Sequence, residues 1–280
     1  MPVSVVYLFH NSRAGRYSQM AVQRFIHELK QCDIDAHCIA EIDELKAIRN
    51  SHIIVAGGDG TLHCAINHAD IYSNSFSILP VGSGNDFASA FPKPHLPTLA
   101  ENIKANRFQP IDLLQVNDTL VHNAAGAGFE ALVAKKATEK KVPAALKYIL
   151  PLAGNLFSYK PGKMNISSAE YNYSGEVFTI SLGNGKRAGG GFKLYPNASF
   201  SDGKLDLLLI KPPPFWQKLL YVWLVNFGKH LQLKAVEYIQ VREVKIELNS
   251  TAYWQADGEI YSSEVLHAKV IPGGLKLICG

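Results

Sequence analysis

The stretch VAGGDGTLHCAINHA, residues 55–69, packs three glycines and one carboxylate into the five residues from Gly57 to Thr61. A strand-like apolar run precedes them and a helix-like run follows. Glycine lets a backbone approach a neighbour closely or take positive φ. A helix start offers free N–H groups and the positive end of a dipole. Strand, glycine loop and helix together make an anion site suited to phosphate. No lysine in the loop offsets the phosphate charge, and Asp59 adds a negative one. A carboxylate beside a polyphosphate fits a divalent cation lying between them, usually Mg²⁺. The plainer reading is an Asp-Gly turn with Asp59 as the helix N-cap. No GxxxxGK[ST] occurs in the chain, so this is not a Walker loop.

Working outward, strand and helix signals alternate through about residue 115. VSVVYLF reads as a strand, QMAVQRFIHELKQ as a helix, IDAHCIA as a strand, EIDELKAIRN as a helix and HIIVA as a strand. After the glycine loop come the helix LHCAINHA and the strand FSILPV. A second loop follows, Gly82-Ser83-Gly84-Asn85-Asp86-Phe87, and it predicts a further helix capped by Asn85 or Asp86. This order predicts a parallel sheet with helices on both faces, in which ligands sit beyond the C-terminal strand ends. Both glycine loops fall at that edge.

The character then changes. A helical stretch covers about 128–157, and strand-like segments follow: KMNISS, GEVFTISL, KLDLLLI, YIQVREVKIELN, AYWQA and VLHAKVI. The fold class expected is an α/β N-terminal nucleotide-binding domain, residues 1–118, and a mainly antiparallel β-rich domain, residues 119–273. The turn at Asn117-Asp118 marks the boundary, and residues 274–280 are left free to return to the first domain. GAGFEA (126–131) and GNGKRA (183–188) imitate a dinucleotide fingerprint, but neither has the βαβ context that motif needs. Ser201-Asp202-Gly203 with Asp206, and Asp257-Gly258-Glu259, are each turns when taken alone. Beside a phosphate-binding domain they become candidates for a metal site and a catalytic base.

Composition narrows the classes. The chain has 280 residues, is 47% hydrophobic and carries a net charge of +4, which suits phosphates or an anionic membrane without demanding either. The scattered Lys and Arg residues point to no nucleic-acid partner, and dense groups such as Lys135-Lys136 and Lys140-Lys141 read as a solvated helix face. The four cysteines have no CxxC spacing or zinc pattern. The opening MPVSVVYLFHNSR lacks a signal-peptide layout, and the expected location is the cytoplasm with peripheral membrane association. The most apolar run, Leu219 to Val225, is far shorter than the ~20 residues that cross a bilayer. It follows three prolines and is expected to be a buried helix; an interfacial helix with two tryptophans is the other reading.

These residues resemble the diacylglycerol-kinase-type lipid kinases, including soluble bacterial members and, more distantly, sphingosine and ceramide kinases. The resemblance rests on Asn11-Ser12-Arg13-Ala14-Gly15-Arg16, on the loops at 57–61 and 82–88, and on Gly128-Phe129-Glu130-Ala131. It continues through Gly189-Gly190-Gly191-Phe192, Pro196-Asn197-Ala198, Ser201-Asp202-Gly203-Lys204-Leu205-Asp206 and Asp257-Gly258-Glu259. It implies transfer of the γ-phosphate of ATP, with Mg²⁺, to the hydroxyl of a lipid at the membrane surface, the ATP lying in a cleft between two domains. It places Asn11, Gly57, Gly58, Asp59, Gly60, Thr61, Leu62, His63, Cys64, Gly82, Ser83, Gly84, Asn85 and Asp86 at the nucleotide. It makes Asp59 the loop acid that works with the catalytic metal and Glu259 the base for the acceptor hydroxyl. A structural Mg²⁺ is implied at the Asp202 side chain with backbone carbonyls of Ser199 and Lys204.

Two departures qualify the match. The family's Thr-x-Asn-Glu reads Thr61-Leu62-His63-Cys64 here, so the glutamate is lost. Leu132 stands where sphingosine kinases carry an aspartate for the substrate amine, which implies a neutral acceptor such as diacylglycerol. A kinase of a soluble acceptor, NAD-kinase-like, and a nucleotide- or lipid-binding homologue with impaired catalysis are the other readings. A homodimer is left open.

Overall fold

The computed structural model describes residues 5–10, 19–39, 41–82, 84–139 and 148–280, with side chains except at 249–251. The chain forms two units, Met1–Asp112 with Pro272–Gly280, and Leu113–Ile271.

In the first unit, β1 (Val5–His10), β2 (Asp35–Ile39), β3 (His52–Gly57) and β4 (Ser75–Pro80) form a parallel sheet in the order β2-β1-β3-β4. Every residue of β3 is buried, as an apolar strand at the centre of a parallel sheet should be. Helix α1 (Gln19–Gln31) turns Val22, Phe25 and Leu29 inward, at helical spacing. They pack with Val6, Leu8 and Ile54, and with Leu99, Ala100 and Ile103 of α3 (Leu96–Lys104). The segment EIDELKAIRN forms only a short 3-10 helix, Ile42–Ala47, because the chain turns at Asn50 (φ 50°) straight into β3. The C-terminal residues belong to this unit. Leu277 pairs in parallel with Phe76, and the Ser77 hydroxyl donates to the carbonyl of Ile278 at 2.7 Å.

The divide between units falls inside β5 (Gln109–Val116), not at the Asn117-Asp118 turn. That turn closes a hairpin from β5 to β6 (Thr119–Val121), so the strand runs unbroken past the divide.

In the second unit the strands are β7 (Ala124–Gly128), β8 (Gly162–Ser167), β9 (Asn172–Val177), β10 (Thr179–Gly183), β11 (Leu205–Ile210), β12 (Val236–Val241), β13 (Glu243–Ala256) and β14 (Glu259–Leu277) up to Ile271, from where it continues into the first unit. The order β12-β11-β10-β7-β13-β14 is antiparallel throughout, and the β8–β9 hairpin joins β13. All six residues of β11 are buried because both faces are covered. Leu205, Leu207 and Leu209 pack with Ile180, Leu182 and Ile246 on one side. Leu208 and Ile210 pack with Phe129, Phe178 and Tyr195 on the other, the alternation a strand imposes. The helical stretch near 128–157 comprises α4 (Phe129–Glu139) and α5 (Ile149–Asn155); Lys140 and Lys141 lie outside the described residues.

The run at 219–225 forms a helix, α6 (Phe215–Val225), but not a buried one. Val225 is its one buried residue, while Phe215, Trp216, Leu219 and Trp223 are exposed. Among the described residues, no helix is long and apolar enough to cross a membrane.

Candidate active site

The two glycine loops of the first unit are packed backbone against backbone. A Cβ on Gly82 would lie 2.3 Å from the Gly58 nitrogen, and one on Gly58 would lie 2.2 Å from the Gly84 carbonyl oxygen. Gly57, Gly58, Gly82 and Gly84 have no positive φ, so close approach, not left-handed backbone, is what demands glycine here. The Asp59 N–H donates to the Gly84 carbonyl at 2.9 Å.

Helix α2 (Asp59–His68) starts inside the loop, with Gly58 as N-cap and Asp59 as its first residue. Asp59 does not cap its own helix. Its Oδ2 accepts the Asp86 N–H at 2.9 Å and its Oδ1 accepts the Phe87 N–H at 3.2 Å. One carboxylate therefore ties the first loop to the second, which fixes its direction. No α-helix follows the second loop. A single 3-10 turn, Ala88–Ala90, forms before Pro92 and Pro94, whose rings forbid helix continuation. The N–H groups a helix would have offered to phosphate are those Asp59 engages.

Of the expected nucleotide residues, Gly57 closes β3, Gly58 caps α2, and Asp59, Gly60, Thr61, Leu62, His63 and Cys64 form its first two turns. Leu62 and His63 are buried and Cys64 is half-buried. Gly82, Gly84, Asn85 and Asp86 build the second loop, where the Asn85 side chain donates to the Gly82 carbonyl at 2.9 Å. Asn11 and Ser83 lie outside the described residues. Two polar atoms at these loops, Thr61 Oγ1 and Asn85 Oδ1, are buried with no hydrogen-bond partner among the described residues. Such atoms carry a desolvation cost unless something polar meets them, as a ligand would.

Gly82→Ala tests the contact between the loops. We expect Mg-ATP affinity to fall by about tenfold or more, because the added methyl must push Gly58 away and misalign both loops. Calorimetric titration of nucleotide measures it; unchanged affinity would place the nucleotide elsewhere.

In the second unit the DGE motif is a two-residue hairpin joining β13 to β14, with Asp257 at φ 50° and Gly258 at φ 93°. Positive φ at both positions is the turn that matches strand twist, and Asp-Gly is its favoured sequence. The Asp257 carboxylate points inward. It accepts the N–H groups of His122 (3.0 Å), Asn123 (3.0 Å) and Ala124 (3.1 Å), and the His122 Nε2 lies 3.4 Å away. Asp257 therefore braces the hairpin. Glu259, the next carboxylate along, begins β14 and is exposed.

A second brace went unseen in the sequence. The Gln255 amide donates to Glu130 on α4, while its carbonyl accepts the Gly258 N–H at 2.9 Å. A Cβ at Gly126 would lie 2.8 Å from the Glu130 carboxylate carbon, so the strand AAGAG is small in order to admit that side chain. This explains GAGFEA. Its strand pairs antiparallel with β10 and β13, so no dinucleotide-binding unit exists there. Part of Glu130 remains accessible, but its carboxyl is enclosed, and burial pushes it up to about 7 against the opposing hydrogen bonds from Ser181 and Gln255.

The sign of the consequence is fixed. The folded state holds this proton more tightly than the unfolded chain, so Glu130 removes stability as pH rises from about 4.5 to about 7. Glu130→Gln keeps the shape and loses the charge. We expect its melting temperature relative to wild type to rise by several degrees between pH 5 and pH 8, a shift of at most about 3 kcal/mol. Thermal unfolding at the two pH values checks this, and a constant gap would mean an ordinary carboxyl.

Asp202 sits in an exposed turn, where its Oδ1 accepts the Lys204 N–H at 3.1 Å. Asp206 is buried. Its Oδ1 accepts from the Tyr238 hydroxyl at 2.5 Å and from Gln240 at 3.1 Å, and burial holds its carboxyl above the usual range. Its Oδ2 has no hydrogen-bond partner among the described residues. No group of three His, Cys, Asp or Glu side chains that could hold a metal ion occurs among the described residues.

Comparison with known proteins agrees with this architecture. The diacylglycerol kinase catalytic domain matches residues 6–116, and the YegS C-terminal NAD kinase beta sandwich-like domain matches residues 123–279. A protein of Pseudomonas aeruginosa named "Probable lipid kinase YegS-like" is 31% identical over 252 residues, 88% of this chain and 81% of that protein. A Pseudomonas putida protein of the same name is 33% identical over 176 residues, 61% of this chain and 60% of that protein. A diacylglycerol kinase from Bacillus anthracis shares the fold, with a TM-score of 0.77 at 21% identity over 99% of this chain and 97% of that one. The fold is thus the two-domain one of diacylglycerol kinases, an α/β domain with a β-rich partner. Within that class, the chain belongs to the YegS-like lipid kinase family.

Proposed function

We propose that this protein transfers the γ-phosphate of Mg-ATP to the hydroxyl of a neutral lipid such as diacylglycerol. The observation that carries the reading is the pair of glycine loops packed backbone against backbone and tied together by Asp59, with the start of α2 inside the first loop. Phosphoryl transfer asks mainly for positioning and for neutralisation of charge on the phosphate oxygens. In this reading Gly57 to Cys64 and Gly82 to Asp86 cradle the nucleotide, with Asn11 and Ser83 beside them. Mg²⁺ enters with ATP as part of the substrate. Asp59 acts as a positioning residue, because both its oxygens hold the second loop.

Glu259 is the base. The acceptor oxygen attacks the γ-phosphorus, the bond to the bridging oxygen breaks, ADP departs, and the hydroxyl proton passes to the Glu259 carboxylate. Asp257 supports this role by pinning the turn from which Glu259 projects. Leu132 on α4 brings no carboxylate for a substrate amine, which favours a neutral acceptor.

A structural Mg²⁺ fits the turn at 199–206. The donors there are hard oxygens: Asp202, the Asp206 Oδ2 that has no hydrogen-bond partner among the described residues, and the backbone carbonyls of Ser199 and Lys204. Its contribution would be to neutralise two neighbouring carboxylates and stiffen the turn.

The test is incubation with γ-labelled ATP and a total lipid extract. Label in a lipid-soluble product is the expected result. Label passed only to soluble acceptors would favour the NAD-kinase-like reading, and tight ATP binding without transfer would favour the impaired homologue.

A further inference from the structure

We infer that one face of α6, extended by Phe157 and the start of α5, is a docking surface for an anionic lipid bilayer. The sequence positions form a row. Phe215, Leu219 and Trp223 recur every four residues, with Trp216 beside them, and Phe227 in the turn after the helix packs 5.2 Å from Trp223; all five are more than half exposed. Residues four apart share one helix face. The other face is already occupied. Val225 is buried, Tyr221 and Val222 pack against the core, and Tyr221 meets His230 edge-on at 5.5 Å. The Lys218 ammonium donates to the Leu156 carbonyl at 3.0 Å. Alongside, Phe157 stacks on Phe215 at 4.3 Å, and Ile149 and Leu150 on α5 are also exposed.

Charge identifies the occupant. Residues 207–236 contain Lys211, Lys218, Lys229 and Lys234 and no Asp or Glu, and residues 148–169 contain Lys160 and Lys163 and no Asp or Glu. Lys160, Lys163, Lys229 and Lys234 are exposed, whereas Lys211 pairs with Glu237. Exposed Trp and Phe within a stretch that carries lysines and no acids are what an anionic headgroup layer recognises: rings enter the acyl boundary and ammonium groups stay with the phosphates. A second copy of this chain is a poor occupant, since two such faces would bring together the same acid-free, lysine-bearing stretch from each copy. At eleven residues α6 is too short to span a bilayer, so it lies along the surface. The surface stands apart from the catalytic reading, although a lipid acceptor supplies a reason for it.

The chain provides its own reporters. Of three tryptophans, Trp254 is buried and stacked on Tyr261, leaving Trp216 and Trp223 to sense the surroundings. With phosphatidylcholine vesicles containing phosphatidylglycerol, the protein should co-sediment and its emission should shift to the blue. Vesicles of phosphatidylcholine alone, or added salt, should weaken both. The double variant Phe215→Ser, Leu219→Ser keeps both reporters and should bind at least about tenfold more weakly. Lys229→Glu with Lys234→Glu should abolish the preference for phosphatidylglycerol. Absence of vesicle binding, or unchanged binding in both variants, would overturn the inference. So would a blue shift without vesicles accompanied by a doubled mass, which would assign the face to a second copy. Transfer to an acceptor dispersed in detergent micelles should be unchanged in the Phe215/Leu219 variant. Vesicle binding with no transfer would count against the kinase reading and leave the docking surface standing.

Discussion

Glu259→Gln is expected to lower phosphoryl transfer by about 10²- to 10⁴-fold, the range a general base contributes, while Mg-ATP binding and the melting temperature stay at wild-type values. Glu259 is exposed at the start of β14, so glutamine fits without disturbing packing. What it loses is the capacity to take a proton. Its neighbour behaves oppositely. Asp257 accepts three backbone N–H groups with its carboxylate shut away from solvent, so Asp257→Ala should destabilise the hairpin and lose activity through the fold. The pair thus separates chemistry from scaffolding within three residues of sequence. Initial rates with labelled ATP, nucleotide titration and thermal unfolding on the same preparations decide it. Transfer by Glu259→Gln within a few-fold of wild type would move the base elsewhere.

Local sequence carried much of this. Four apolar runs alternating with helical ones implied a parallel sheet, and they form one in the order β2-β1-β3-β4. The β-rich second half was equally visible in its alternating strands. What stayed hidden depends on partners distant in the chain. Asp59 looked like a phosphate-side or capping carboxylate, yet its hydrogen bonds go to residues 27 and 28 positions away. The glycines were read as offering either freedom of φ or close approach, and only the facing loops show that approach decides. The helix expected after the second loop failed because Pro92 and Pro94 outweigh a favourable cap. For α6, hydropathy alone cannot separate a buried helix from an interfacial one, since both are rich in Leu and Trp. What the structure adds is the exposure of Phe215, Trp216, Leu219 and Trp223; the sequence adds thirty residues, 207–236, without a single acid. Glu130 was legible only as part of a motif, because its role depends on Gln255, 125 residues later.

Asp59→Asn should fail in two ways at once. An amide offers one acceptor where the carboxylate offers two, so one of the Asp86 and Phe87 N–H groups would face an NH₂ in place of an oxygen. A charge-assisted hydrogen bond is lost and a donor is left against a donor, for a stability loss of about 2 kcal/mol at this half-buried position. The second loop is then held to α2 by one of these two side-chain bonds instead of both, which loosens the register that keeps Gly82 on Gly58. We expect nucleotide affinity to fall by about a hundredfold, and to do so in the absence of Mg²⁺ as well as in its presence. That second condition separates the two tasks the residue could have. A carboxylate serving solely as a metal ligand would leave metal-free nucleotide binding and the melting temperature where they were, and lower turnover alone. A carboxylate that holds two loops together lowers all three. Titrating ATP with and without Mg²⁺, beside a thermal melt, distinguishes them, and an unchanged melting temperature with intact metal-free binding would return Asp59 to the metal.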